Sequence, residues 1–68
     1  MGTQLVMQTL KNRNMEICSQ IARSAGITED KTIKALLILE QQGFVAQRNG
    51  YWWLTPSGEK AALSINDF

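Results

Sequence analysis

The dipeptide Asn49-Gly50 lies between two short runs rich in aromatic and apolar residues, Phe44 to Gln47 and Tyr51 to Leu54. Asn-Gly is the strongest short-range signal for a two-residue type I′ hairpin, because both central residues of that turn must take positive φ. Such a turn fixes the register. Arg48 falls opposite Tyr51, Gln47 opposite Trp52, Ala46 opposite Trp53 and Val45 opposite Leu54. Side chains alternate between the two faces of a strand. With Val45 and Leu54 as core residues, Trp52 joins the inner face, and Arg48, Tyr51 and Trp53 share the outer one. Trp, Tyr and Arg are the residues most enriched at binding hot spots, which makes Tyr51 and Trp53 candidate partner contacts. Packing of Trp53 beneath a helix is the competing reading.

Helical periodicity precedes the hairpin. Residues 3–13 carry Leu5, Val6 and Leu10 on one face, with Lys11 and Arg13 suited to the C-terminal end of the helix dipole. Asn12 to Asn14 break the pattern. Residues 16–25 form a second helix that turns Ile17, Ile21 and Ala22 inward and ends at Gly26, a left-handed cap position. Thr28 is an N-cap for a third helix over residues 29–42, whose first turn holds Glu29 and Asp30. On that helix Thr32, Ala35, Leu36, Leu39 and Gly43 cluster on one side, and Asp30, Lys34 and Gln41 lie opposite. After the hairpin, Thr55-Pro56 reads as an N-cap followed by Pro at the first helical position, opening a closing helix over residues 56–65. Residues 66–68 are expected to fray.

Sixty-eight residues leave room for one hydrophobic core, so the whole chain, 1–68, is read as one domain: helix-turn-helix 16–42, wing 44–54, closing helix 56–65. Enzymatic chemistry lacks its parts. There is no His, one Cys and no Gly-rich phosphate loop, so nucleophile–base pairs and zinc sites cannot be assembled, and neither a cofactor nor a small-molecule substrate is expected. Glu29 and Asp30 are adjacent carboxylates whose expected role is capping. Cys18 reads as a small packed thiol. No apolar run is long enough to cross a bilayer and no signal-peptide order opens the chain, so a cytoplasmic, or nucleoid-associated, setting is expected. Seven Lys and Arg against six Asp and Glu give a net charge of +1, so any case for nucleic acid rests on where the charges sit.

Two helices joined by a tight turn and followed at once by a hairpin make a winged helix-turn-helix, mainly α with a small β-hairpin. The run Ile21-Ala22, Ala25-Gly26-Ile27-Thr28, Leu36, Leu39, Gly43-Phe44-Val45 and Trp52-Trp53-Leu54-Thr55-Pro56-Ser57-Gly58 resembles the winged-helix domains of bacterial and phage transcriptional regulators. It is similar to those of the multiple-antibiotic-resistance type and to the small fimbrial regulators. The resemblance implies a third helix that enters the major groove of duplex DNA and a wing that meets the neighbouring backbone. It places Lys31, Ile33, Lys34 and Leu37 on or beside the reading surface and Arg48 and Asn49 at the wing tip; Thr28, at the start of the same helix, is a further candidate DNA contact. Regulators of this kind usually pair, so a homodimer is expected, with Leu37, Tyr51 and Trp53 as candidate contacts.

Ile33 and Leu37 are apolar where a reading helix is usually polar, and three roles compete for them: core, partner surface, or contact with thymine methyls. The expectation is a packed Leu37 and a partly exposed Ile33. Winged helices also serve as protein-interaction modules, which is the alternative function.

Overall fold

The computed structural model describes residues 2–11, 13 and 15–65. In chain order the elements are α1 (Gly2–Lys11), β1 (Glu16–Ile17), α2 (Cys18–Ala25), α3 (Glu29–Gln41), β2 (Val45–Arg48), β3 (Tyr51–Leu54) and α4 (Pro56–Ile65). The expected winged helix is present, with one addition: the sheet has three antiparallel strands in the order β1-β3-β2. The hairpin register is the one the Asn-Gly turn dictates, from Val45 opposite Leu54 to Arg48 opposite Tyr51. Asn49 and Gly50 take φ of 54° and 85°, the left-handed pair that a type I′ turn requires.

Local chemistry accounts for three of the helix boundaries. α2 ends at Gly26, whose φ of 75° lets its N–H reach back to the Ala22 carbonyl. α3 starts at Thr28, whose hydroxyl accepts from the Lys31 N–H at 3.2 Å. α4 starts at Thr55, whose hydroxyl accepts from the Gly58 N–H at 3.1 Å and donates to the Gly43 carbonyl at 2.6 Å. The Thr55 N–H also donates to the Phe44 carbonyl at 3.0 Å, so the end of α3 and the start of α4 are fastened together beside the wing.

The core gathers Val6, Met7 and Leu10 of α1, Ile21 of α2, Ala35, Leu36 and Leu39 of α3, Val45, Trp52 and Leu54 of the sheet, and Ala62 of α4. Each Leu, Ile or Val so buried contributes about 1.5–3 kcal/mol. Thr32 is the one buried polar residue among those described, and its hydroxyl is satisfied by donating to the Thr28 carbonyl at 2.8 Å.

Three expectations are corrected. α1 covers residues 2–11 rather than 3–13 and buries Met7, leaving Leu5 exposed; the helix is rotated relative to the pattern that paired Leu5 with Val6 and Leu10. The second helix begins at Cys18, because Glu16 and Ile17 pair with Trp52 and Tyr51 as an edge strand, and Ile17 is 38% exposed rather than inward. Leu37 is 49% exposed rather than packed. The expected fraying at 66–68 and the break at Asn12 and Asn14 lie outside the described residues.

Candidate nucleic-acid interface

The exposed side of α3 follows from its core side. Thr32, Ala35, Leu36 and Leu39 face α1, α2 and the sheet, so the residues about half a turn away project outward. Lys31, Lys34 and Leu37 are exposed, and Ile33 is half-buried against the core edge. Thr28 is exposed, but its hydroxyl is already engaged as the cap of α3. Lys34 Nζ lies 3.3 Å from Asp30 Oδ2, an exposed i, i+4 pair of small energetic weight. Lys31 makes no side-chain hydrogen bond or ion pair among the described residues.

Lys31 and Lys34 also border a shallow groove of about 480 Å³ shared with Gly2, Thr3, Ala35 and Ile38, where the start of α1 passes α3. Ile38, half exposed, forms part of its apolar floor, a feature hidden in the sequence because nothing there places the first turn of α1 alongside α3.

At the wing, Arg48 and Asn49 are exposed at the hairpin tip, and Arg48 has no side-chain partner among the described residues. Arg48 faces Tyr51 across the strands, Tyr51 is 48% exposed, and Trp53 is partly buried opposite Ala46. Trp52 is buried. The expected division of the hairpin into an inner face with Trp52 and an outer one with Arg48, Tyr51 and Trp53 therefore holds. The candidate residues form two groups, one on α3 and one on the wing, and among the described residues no side-chain bond links them.

Sequence reasoning missed the role of Arg13. Its Nη1 donates to Glu16 Oε2 at 3.1 Å and its Nη2 to Ser24 Oγ at 2.9 Å, tying the entry of β1 to the end of α2. Cys18 is partly buried, and its Sγ–H donates to the Glu29 carbonyl at 3.8 Å. Burial, with the Glu29 carboxylate second, pushes its thiol above the ordinary range, which disfavours the reactive thiolate. Among the described residues no group of His, Cys, Asp and Glu is placed to hold a metal ion, and no helix is long and apolar enough to cross a membrane.

No protein-family model matches the sequence, and no curated protein matches it. The fold has clear likenesses among solved structures. A MarR family protein of Mycobacterium tuberculosis, Rv2887, superposes with a TM-score of 0.89 at 23% identity, over 97% of this chain and 50% of that one. Ligand-free NadR superposes with a TM-score of 0.86 at 24% identity, over 97% of this chain and 51% of that one. At these identities the likeness establishes the winged-helix fold. The chain spans about half the length of either solved chain.

Proposed function

We propose that the chain, residues 1–68, works as one winged-helix unit of a small transcriptional regulator that binds duplex DNA, with α3 in the major groove and the wing tip on the backbone. It acts by binding rather than catalysis, as a pair of copies, in the cytoplasm and on the nucleoid. The observation that carries this reading is the exposure of Lys31 and Lys34 on the outward side of α3, the second helix of the helix-turn-helix. Arg48 and Asn49, exposed on the turn of the hairpin that follows, supply the backbone contact. Thr28 contributes through its cap, which holds the N-terminal end of α3 rigid where the groove would receive it.

Among the described residues Lys31 and Arg48 are unpaired cations that can reach phosphate, and Lys34 can do so to the extent that it leaves Asp30. Each neutralised phosphate adds about 0.9 to the salt dependence, so log K should fall with log salt at a slope between about −1.8 and −2.7 per bound copy. Titrating labelled random duplex DNA at two salt concentrations measures it, and sedimentation of the same samples reads the number of copies bound. Lys34→Ala and Arg48→Ala should each weaken binding alike on all sequences and leave the melting curve in place. A salt-independent response, or no binding at low salt, would reject duplex DNA in favour of the alternative, a protein-interaction module. That alternative is favoured by Leu37, an exposed apolar residue on the same helix.

A further inference from the structure

Among the described residues, the outer face of the three-stranded sheet stays exposed or partly exposed. On β3, the central strand, Tyr51 and Trp53 stand two residues apart and so point to the same side. Tyr51 has Ile17 opposite it on β1 and Arg48 opposite it on β2, while Trp53 has Ala46 beside it. All five residues are exposed or partly exposed. Among the described residues the face carries one cation and no carboxylate: Glu16 is register-paired with Trp52, on the alternate face, and is held by Arg13.

We infer that this face is a stacking platform for unpaired bases of a single-stranded nucleic acid, with Arg48 holding a neighbouring phosphate. The spacing supports it. Residues i and i+2 on a strand are separated by about 6.5 Å. Stacked bases in a duplex rise about 3.4 Å, so adjacent duplex bases cannot each cover one ring, whereas an extended single strand opens to the wider interval. Aromatic rings on an exposed sheet beside an unpaired arginine provide what such a strand needs: π-faces for any base and one positive charge for the backbone. The size of the patch argues against a protein occupant. β2 and β3 are four residues long and β1 is two, so the face spans at most roughly 10 by 13 Å, well below the ~800 Å² per partner of a standard protein interface.

The site shares Arg48 with the duplex-binding reading but includes neither Lys31 nor Lys34, so a substitution at Lys34 tells the two apart. The test is a titration of the intact chain with a fluorescein-labelled oligothymidylate, read by anisotropy and by tryptophan emission. Trp52 is buried, so quenching on binding reports Trp53. The expected result is saturable binding with quenching and a shallow salt slope near −0.7, the value for one phosphate on a single strand. Tyr51→Ala should lower affinity by roughly 5- to 150-fold, the span of one stacked base, and Tyr51→Phe should restore most of it. Trp53→Phe should keep binding while abolishing the quench, a readout that survives if Trp53→Ala fails to fold. Lys34→Ala should leave oligothymidylate affinity within about two-fold of the parent. No binding at low salt, binding that is unchanged in Tyr51→Ala, or quenching that persists in Trp53→Phe would each overturn the platform. So would loss of self-association in folded Tyr51→Ala with oligothymidylate affinity intact, which would assign the face to contact between copies.

Discussion

At Gly58 the backbone of α4 passes so close to the Phe44 carbonyl that a Cβ built there runs into that carbonyl's oxygen and carbon. The same carbonyl accepts from the Thr55 N–H, and the Gly58 N–H donates to the Thr55 hydroxyl, so neither side of the contact is free to move away. In an open helix Gly→Ala is favourable by up to about 1 kcal/mol. At Gly58 the clash outweighs that gain. Gly58→Ala is expected to destabilise by about 2 kcal/mol, in the range for overpacking a closed site. For a domain of this length that lowers Tm by roughly 10 °C. Gly2→Ala, where a Cβ meets nothing within 4 Å, is the matched control and should melt no earlier than the parent. Thermal melting followed by circular dichroism decides it, and equal melting of the two variants would show that α4 is not seated on Phe44 as described.

The elements differ in how much of them the sequence disclosed. The hairpin was legible to the residue because an Asn-Gly turn and a period of two admit one register. The caps at Thr28 and Thr55 and the terminator at Gly26 were legible because each is a local hydrogen-bonding requirement. β1 was not legible: two residues carry no periodicity, and only its pairing with Tyr51 and Trp52, far along the chain, makes Glu16 and Ile17 a strand. Among the site residues, Lys34 could be read from the helical period and Arg48 and Tyr51 from strand alternation, and Lys31 was placed by the resemblance, whereas the exposure of Leu37 could not be read, since apolar residues are more often packed than exposed. At 100° per residue Leu37 points about 150° from the middle of the core stripe formed by Thr32, Ala35, Leu36 and Leu39. α3 packs against α1, α2 and β2. Leu37→Asn should therefore shift stability by no more than about 0.5 kcal/mol, whereas Leu36→Ala, at a fully buried position, should cost about 2–5 kcal/mol. Denaturant unfolding separates the two. A Leu37→Asn variant that unfolds as early as Leu36→Ala would place Leu37 in the core.

For the whole molecule, the proposed binding of duplex DNA asks a chain with a net charge of +1 to approach a polyanion. The charges of α3 partly cancel: Glu29 and Asp30 occupy its first turn, and Asp30 holds Lys34 at 3.3 Å. Those acids favour the fold, since carboxylates at a helix N-terminus and an acid four residues ahead of a lysine each stabilise by a few tenths of a kcal/mol. They oppose binding, because the Asp30 carboxylate repels the phosphates that Lys34 would meet and competes for its ammonium. Stability and affinity are thus set against each other at a single side chain. Asp30→Asn keeps the shape, raises the net charge by one and releases Lys34. It should melt slightly earlier, by about 0.5 kcal/mol or less, and bind random duplex DNA several-fold more tightly at low salt, with the gain shrinking as salt screens it. If Lys34 moves from the carboxylate onto a phosphate, the salt slope should steepen by about 0.9. Anisotropy titrations of parent and variant across a salt series measure both quantities. Tighter binding with an unchanged slope would mean that only the repulsion was removed; unchanged affinity at every salt concentration would take the Lys34 end of α3 out of the DNA-facing surface altogether.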